Sequence, residues 1–291
     1  MSFSVKMVKI LHFRSSKRSV SRASESRKDV GKGMKMIALI LAAGYATRLY
    51  PLTINTPKPL LPVGPKAMID YITDEIETIP DVNKIVIVTN HRFADHFNEW
   101  AESRSEKDLA EGRIASPIEV IDDGTTDDSN KLGAIGDIQF VIDQLKIDED
   151  MMIIAGDNLF TYKLKGMYDF FRETGKDTLV SIRVDDVEQL KKLAVATIDE
   201  NGKVEYLAEK PKVPRSNVAI YATYMYLRET LPMIRQYLDE GNTPDAPGHF
   251  PSWLYTRKDV YVYRAPGNCI DIGTPENYKD VCDNYQEILG V

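Results

Sequence analysis

A segment rich in small residues reads Leu41-Ala-Ala-Gly44-Tyr-Ala-Thr47-Arg48-Leu49-Tyr-Pro51-Leu-Thr53, and Pro57-Lys58-Pro-Leu-Leu-Pro-Val63 follows it. The apolar run at 36–42 predicts a buried strand, so the small residues form a loop at a strand end. Backbone N–H groups in such a loop are accessible to a phosphate chain. Arg48 and Lys58 add two positive charges beside it. These are the parts needed to hold a nucleoside triphosphate and to stabilise charge that develops on its phosphates.

The composition is typical of a globular protein. The chain has 291 residues, 43% of them hydrophobic and 28% charged, which allows one large α/β domain or two small ones. No apolar run approaches the ~20 residues that cross a bilayer, so no membrane partner is expected. The two cysteines, Cys269 and Cys282, lack metal-like spacing. That usage indicates a reducing compartment, and we expect a cytoplasmic protein.

The charge is unevenly distributed along the chain. The net charge is −7, yet residues 1–35 hold ten Lys or Arg and only two acids. The remainder is therefore strongly acidic, which disfavours nucleic acid as a partner. The basic segment has two interpretations, a transit peptide or a disordered extension ahead of a start at Met34 or Met36. Organellar targeting by residues 1–33 stays open, and residues 36–291 are predicted to form a single domain.

The first half of that domain alternates predicted strands with predicted helices. Apolar periodicity predicts strands at 36–42, 84–89, 117–121 and 151–155, with helices at 66–79, 92–103 and 132–145. Such βαβ alternation predicts a mainly parallel sheet that binds ligands at the carboxyl ends of its strands.

The second half carries a hairpin signal at Glu200-Asn201-Gly202. Strands are predicted on both sides of it and farther along, at 193–199, 203–208, 217–227 and 260–264, with helices at 229–240 and 276–289. The predicted fold class is α/β: a Rossmann-like, mixed and mostly parallel sheet flanked by helices, with a hairpin-rich lid over its ligand edge.

Three further segments place charged residues at predicted strand ends. Asp157 follows the strand at 151–155, where Mg²⁺ bound to phosphates needs an oxygen ligand, although an Asp here also suits a turn cap. Glu209-Lys210-Pro211 offers a carboxylate for hydroxyl groups and an ammonium for a phosphate, on a turn that Pro211 is expected to hold extended. Its alternative is a surface ion pair. Asp271 precedes the last predicted helix, where it could also serve the helix dipole.

The order of these segments resembles that of the sugar-1-phosphate nucleotidyltransferases, and the glucose-1-phosphate thymidylyltransferases are the nearest familiar type. The motifs run from Met36 to Gly290 and read LAAGxxTRLxPLT, PKPLLPV, AGDN, EKP, SNVA and DIGTPENY. The resemblance implies a nucleotide half at about 36–160 and a sugar half at about 161–291, so that the hairpin-rich lid would be sugar-binding. It also implies a Mg²⁺-dependent transfer of a nucleotidyl group from an NTP to a sugar 1-phosphate, with release of pyrophosphate.

The resemblance assigns roles residue by residue. It implies Arg48 and Lys58 as catalytic residues, and Asp157 with Asp271 as Mg²⁺ ligands. The residues implied to bind the nucleotide are Leu41, Ala43, Gly44, Thr47, Asn130, Leu132 and Gly133. Those implied to bind the sugar phosphate are Glu209, Lys210, Asn158 and Asn217. The chemistry agrees, because a phosphate monoester is largely ionised at neutral pH and needs cations and alignment more than a base.

Two departures from the family pattern affect the nucleotide. Ala46 stands where the family loop usually has a glycine, and a positive φ there would cost alanine about 1 kcal/mol. The Gln-x-x-Pro-x-Gly-Leu segment that reads the pyrimidine in thymidylyltransferases has its counterpart at 122–137, which keeps Leu132-Gly133 but lacks the glutamine. Asn130 or Thr126 is the candidate substitute, and dTTP, UTP and CTP are favoured over GTP.

Three alternatives are weighed against this function. Relatives with the same nucleotide half transfer a cytidylyl group to a non-sugar phosphate ester such as phosphocholine. A non-catalytic subunit would only sense nucleotide or sugar phosphate, but retention of both metal carboxylates disfavours it. A dinucleotide oxidoreductase needs G-x-G-x-x-G after the first strand, and the second and third glycines are missing here. We therefore expect an enzyme, and assembly into a homo-oligomer stays open.

Overall fold

The computed structural model describes residues 35–113 and 115–290. The strands of this part are, in chain order, β1 (Met36–Leu41), β2 (Pro62–Val63), β3 (Lys66–Ala67), β4 (Val82–Thr89), β5 (Ile118–Asp122), β6 (Asp150–Ala155), β7 (Asn158–Phe160), β8 (Asp177–Arg183), β9 (Ala194–Ile198), β10 (Val204–Glu209), β11 (Val218–Tyr226), β12 (Val260–Arg264) and β13 (Cys269–Asp271). Its α-helices are α1 (Met68–Ile76), α2 (Ala94–Ala110), α3 (Ala134–Leu145), α4 (Leu164–Thr174), α5 (Val187–Leu190), α6 (Leu231–Asp239), α7 (His249–Leu254), α8 (Pro275–Asp283) and α9 (Tyr285–Leu289). Short 3₁₀ turns cover Thr47–Leu49, Lys58–Leu60 and Arg228–Thr230.

Strand β1 lies in the interior of the sheet and divides the hydrophobic core in two. Met36, Ala38 and Ile40 join one buried cluster, whereas Ile37 and Leu39 join the other. Successive side chains of a strand point to opposite faces, so each face needs its own cover. Helices α1, α2 and α4 contribute to the first cluster, and α3, α6 and α7 contribute to the second. Burial on both faces explains why β1 is a continuous apolar run in the sequence.

The four strands β6, β1, β4 and β5 lie side by side and run parallel. Their carboxyl ends therefore meet at one edge of the sheet. The predicted mixed α/β architecture, with a Rossmann-like parallel part flanked by helices, is confirmed.

The strands of the second half continue the same nine-stranded sheet. Strand β11 pairs antiparallel with β6, and β8 and β9 pair with β11 in turn. The predicted hairpin is present as β9 and β10, with Gly202 in its turn at a φ of 86°. Since β9 pairs with β11, the hairpin is an edge of the central sheet and does not form a separate layer above it.

Helix α4 and strand β8 lie in a stretch for which the sequence predicted no element. Strand β8 is buried although Asp177, Thr178 and Ser181 interrupt its apolar pattern. The buried Asp177 carboxylate meets the Lys258 ammonium at 2.9 Å, which compensates for the loss of water around it. The helix predicted at 276–289 is divided into α8 and α9 at Asn284, whose φ of −116° is not helical.

The interpretations of residues 1–35 concern a segment that lies outside the described residues, apart from Lys35. Within the ranges that the structure describes, no helix combines the length and the apolar character that a bilayer crossing requires.

Candidate functional site

The carboxyl ends of the parallel strands are held together by backbone hydrogen bonds beyond the sheet. The Ala42 N–H donates to Val88 O at 2.9 Å, which links the end of β1 to that of β4. On the other side, the Gly156 N–H donates to Leu41 O at 2.8 Å. A side chain at Gly156 would meet Leu41 O at 3.0 Å and Ile40 Cγ2 at 2.9 Å. Only glycine allows β6 to leave the sheet this close to β1.

The loop after β1 is shaped by a left-handed residue and two side-chain hydrogen bonds. Ala46 has a φ of 45° and a ψ of 43°, and the 3₁₀ turn at Thr47–Leu49 begins directly after it. The Thr53 hydroxyl donates to Ala46 O at 2.8 Å, and the Asn90 amide donates to Ala43 O at 2.9 Å. These contacts hold the loop without any bound ligand. Asn90 was not predicted from the sequence, where its signal was its position just past the predicted second strand.

Replacing Ala46 by glycine is expected to raise the free energy of unfolding by about 1 kcal/mol, because alanine is strained at this left-handed φ. Urea denaturation of both proteins measures the difference. The matched control is Ala43→Gly, in the same loop but without a positive φ, which should lower stability by about 0.5–1 kcal/mol. Equal losses in both variants would show that the backbone at Ala46 stores no strain.

A buried lysine joins two carboxylates at the centre of this edge. Lys58 is 5% exposed and begins the second 3₁₀ turn. Its Nζ lies 3.2 Å from Asp157 Oδ2 and 3.7 Å from Asp271 Oδ1. The two carboxylates remain half exposed, so one buried cation faces two anions that solutes can reach.

Strand pairing places the two carboxylates together although they are far apart in sequence. Strand β13 pairs antiparallel with β7, and Asp271 lies opposite Asn158, the residue after Asp157. Leu49, Leu159 and Ile272 belong to a third buried cluster that supports this small sheet. The geometry of the pair therefore depends on packing between the loop after β1 and the C-terminal part of the chain.

Arg48 lies near the same group. It is exposed on the 3₁₀ turn at Thr47–Leu49. A Cβ atom added at Gly273 would lie 4.0 Å from Arg48 Nη1 and 3.8 Å from Asp271 Oδ2. The Arg48 guanidinium and the Asp271 carboxylate therefore flank the same glycine. Arg48, Lys58, Asp157 and Asp271 thus form one cluster of alternating charge, which we call the charged cluster.

A cavity of about 420 Å³ opens beside the charged cluster. Eight of the site residues predicted from the sequence line it: Leu41, Ala43, Gly44, Arg48, Lys58, Gly133, Asp157 and Asn158. Asp271 is not on its wall but contacts Lys58, which is. The remaining ones are not on its wall: Thr47, Asn130, Leu132, Glu209, Lys210 and Asn217.

Two of the side chains that do not line the cavity form hydrogen bonds within other parts of the structure. Asn130 Oδ1 accepts hydrogen bonds from the N–H groups of Thr126 and Asp127, so the amide organises its own loop. Asn217 Nδ2 donates to Asp185 Oδ1 at 3.2 Å. Neither side chain is presented to the cavity in the way that its implied role requires.

Glu209 and Lys210 lie at the end of the hairpin strand β10. The Glu209 side chain is 9% exposed, and this burial raises the pKa of its carboxyl group. Lys210 Nζ lies 3.7 Å from Glu209 Oε1. The extended turn expected at Lys210 is wrong, since its φ is 45° and its N–H donates to Leu193 O at 3.0 Å. This hydrogen bond turns the chain, and Pro211 disfavours only the right-handed helical backbone.

The wall at the β5 side of the cavity contains two buried acids that were not among the site residues predicted from the sequence. Asp123 follows β5, and Asp137 lies in the first turn of α3. Burial, followed by the neighbouring Asp123 carboxylate, raises the pKa of Asp137 to about 8. The available signal was the position of Asp137 between the apolar Ile135 and Ile138, but an acid in the first turn of a helix is common.

Replacing Asp137 by asparagine is expected to stabilise the protein at pH 8 by at least about 2 kcal/mol. The native carboxyl group keeps its proton up to about pH 8, whereas the unfolded chain releases it near 3.8. Wild-type stability therefore falls as pH rises through this window, and the advantage of the variant grows with it. Denaturation of both proteins at pH 5 and pH 8 measures the effect, and a difference that does not widen with pH would contradict it.

Comparison with known proteins places this site in context. Residues 37–288 match the family model described as nucleotidyl transferase. The chain is similar to mannose-1-phosphate guanylyltransferase 1 of Arabidopsis thaliana, with 27% identity over 84% of this chain and 63% of that protein. It is also similar to glucose-1-phosphate adenylyltransferase of Ruminiclostridium cellulolyticum, with 27% identity over 82% of this chain and 57% of that protein. The chain thus spans about three fifths of the length of these curated relatives.

The fold is shared with solved structures. A UDP-glucose pyrophosphorylase crystallised with UDP-glucose superimposes with a TM-score of 0.72 and 20% identity, over 87% of this chain and 99% of that one. UDP-glucose pyrophosphorylase from Acinetobacter baumannii superimposes with a TM-score of 0.68 and 18% identity, over 87% and 94% of the two chains. At these identities, the likeness shows a common fold.

Proposed function

We propose a function for this chain from its membership of the nucleotidyl transferase family, to which it belongs. The chain transfers a nucleotidyl group from an NTP to a sugar 1-phosphate and releases pyrophosphate. The named relatives act on sugar 1-phosphates. They differ in their NTP, so membership of the family does not select the base.

The observation that carries the proposal is the charged cluster beside the cavity. Lys58 is buried between Asp157 and Asp271, at 3.2 and 3.7 Å, where the loop after β1 ends. A phosphate chain laid along that loop would meet its backbone N–H groups and the side chains of Arg48 and Lys58. Lysine and arginine in this position stabilise negative charge that develops as the α-phosphate is attacked.

We propose that the two carboxylates of the charged cluster hold Mg²⁺, because this ion prefers oxygen ligands. Asp157 and Asp271 already converge on one cation, the Lys58 ammonium. The described residues contain no group of three or more His, Cys, Asp or Glu that could hold a metal ion. Two carboxylates completed by substrate phosphates are a usual arrangement for Mg²⁺. When bound, the ion would supply charge stabilisation at the phosphates.

The protein's own part in the reaction is alignment and charge. The acceptor phosphate is already ionised, so no side chain has to remove a proton from it. Lys58 is held by burial and by two ion pairs, and its ammonium keeps a defined position without paying entropy at each turnover. Asn158 lines the cavity directly after Asp157 and can orient the acceptor.

We propose that the sugar 1-phosphate binds at the end of the hairpin strand β10. Glu209 would accept from sugar hydroxyl groups and Lys210 would meet the sugar phosphate. Both lie off the cavity wall, so this assignment requires their side chains to turn toward the ligand. The exposure of Lys210, 57% at the side chain, leaves it free to do so.

Pyrophosphate release tests the proposal. The protein is assayed with Mg²⁺ and each of dTTP, UTP, CTP, ATP and GTP, against glucose 1-phosphate, mannose 1-phosphate, N-acetylglucosamine 1-phosphate and phosphocholine. Release that requires a sugar 1-phosphate and stops on addition of EDTA supports the function. Release with CTP and phosphocholine alone would replace the acceptor class, and tight NTP binding without release from any pair would indicate a sensing subunit.

A further inference from the structure

The Glu209 side chain is buried but does not line the cavity. Its exposed fraction is 9%, although the proposed function requires its carboxylate to accept from sugar hydroxyl groups. Burial, followed by the charge of Glu209, raises the pKa of Tyr224, a residue of the second buried cluster. The carboxylate therefore lies close to the hydrophobic core, in a position from which it does not yet reach a ligand in the cavity.

A single glycine leaves the space that this carboxylate occupies. A Cβ atom added at Gly248 would overlap with Glu209 Oε2 and would lie 3.0 Å from Glu209 Cδ. On the other side, the same added atom would lie 3.3 Å from Ala194 Cβ, on strand β9. We call this space, bounded by Gly248 and Ala194, the carboxylate slot. Any larger residue at position 248 would exclude the Glu209 carboxylate from it.

The backbone at Gly248 does not itself require glycine. Gly248 directly precedes α7, with a φ of −72° and a ψ of −12°. This is the right-handed helical region, which residues with a side chain adopt without strain. The close approach of Glu209 is therefore the constraint that the structure shows at this position, and alanine would be compatible with the backbone there.

The carboxylate slot lies one residue away from the cavity wall. Pro247, which lines the cavity, directly precedes Gly248. Burial in the slot raises the pKa of the Glu209 carboxyl group, and the neighbouring Lys210 and His249 oppose this shift. Lys210 Nζ lies 3.7 Å from Glu209 Oε1. A buried charge that is held in this way gains hydrogen bonds when it moves to the hydroxyl groups of a ligand.

We propose that Gly248 forms a slot that stores the Glu209 carboxylate in a retracted position, from which the hydroxyl groups of the acceptor must draw it. This inference rests on the proposed function and deepens it, because it assigns a self-inhibitory contact to the acceptor side of the site. The apparent affinity for the acceptor is lowered by the fraction of molecules whose carboxylate is retracted. The NTP does not bear this cost, since the loop after β1 and the hairpin lie on opposite sides of β6.

Replacing Gly248 by alanine fills the slot and tests the proposal. The end of the Glu209 side chain should give way and the backbone should not, because that side chain rotates about three bonds. We expect KM for the sugar 1-phosphate with the highest wild-type rate to fall on the order of fivefold, with KM for the NTP unchanged. Stronger acceptor binding is informative, because general damage to the fold would weaken it.

The matched control is Gly166→Ala on α4. A Cβ atom added there would overlap with the hydroxyl group of Tyr263, again the tip of one side chain, and neither residue lines the cavity. This variant should change neither KM. A second control combines Gly248→Ala with Glu209→Ala. Compared with Glu209→Ala alone, the double variant should show no gain in acceptor affinity, because no carboxylate remains to be stored.

Carbon-13 NMR of the glutamate carboxyl groups locates the stored carboxylate without any reaction. The Glu209 signal is assigned by its loss in Glu209→Gln, and its pKa should fall toward the ordinary value in Gly248→Ala, because the carboxylate leaves the buried slot. A lower pKa together with stronger acceptor binding would support the proposal. A lower pKa without calorimetric binding of any sugar 1-phosphate would support the slot and contradict the proposed function. An unchanged pKa, or weaker acceptor binding by the variant, would overturn the stored position.

Discussion

Replacing Asp157 or Asp271 by asparagine is expected to lower the turnover number on the order of 10³-fold at saturating Mg²⁺ and substrates. Each substitution leaves the proposed metal site one carboxylate short and removes one of the two ion pairs of Lys58. Asparagine keeps the shape of the side chain, so the lower turnover number can be attributed to the missing negative charge. Pyrophosphate release in the steady state measures it, with the NTP and sugar 1-phosphate that give the highest wild-type rate.

The same variants should fold normally. The Asp157 and Asp271 side chains are 51% and 62% exposed, so their ion pairs contribute at most about 1 kcal/mol to stability. Asp169→Asn, an exposed acid on α4 that pairs with Lys165, is the control and should keep the wild-type rate. If either active-site variant retains near wild-type turnover, that carboxylate does not belong to the metal site.

Replacing Lys58 by methionine is expected to lower the turnover number by about 10²–10³-fold. The buried stem is replaced by a side chain of similar length, whereas the cation that we propose to face the α-phosphate is lost. The same substitution is expected to have a second effect, a stronger binding of Mg²⁺ to the free protein. Asp157 and Asp271 lose their internal cation, so the affinity of the free protein for Mg²⁺ should rise by at least about fivefold.

Calorimetric titration with Mg²⁺ in the absence of nucleotide measures the second effect, and pyrophosphate release measures the first. Lys279→Met removes an exposed lysine that pairs with Asp283 on α8, and it should change neither quantity. A Lys58 variant with lower turnover but weaker Mg²⁺ binding would show that the lysine helps to hold the metal and does not compete with it.

The sequence was most informative where local chemistry and burial agree. The run at 36–42 predicts β1 because both faces of that strand are covered, and the strand at 260–264 was predicted with the bounds that β12 has. Buried polar residues that form ion pairs concealed a strand from sequence-based prediction. Asp177 interrupts the pattern of β8, and its partner Lys258 comes from a distant turn that no local pattern reveals.

The positive φ at Ala46 illustrates an intermediate case. The family pattern indicated that this position could require a glycine-like backbone, and the structure shows a φ of 45°. The sequence alone could not decide between the two conformations, because alanine is compatible with both at a difference of about 1 kcal/mol. The hydrogen bond from Thr53 and the packing of the following 3₁₀ turn select the strained one.

The sequence by itself determined the α/β class, the loop after β1 and the presence of Lys58, Asp157 and Asp271 at element ends, since these depend on periodicity and on neighbours along the chain. Only the tertiary structure decided which of these groups meet. The pairing of β13 with β7 brings Asp271 to Asp157, and the packing of α3 against the central sheet places Asp137 against Asp123. Such contacts arise from packing between distant segments, and the pKa of Asp137 follows from that burial and not from its sequence neighbours.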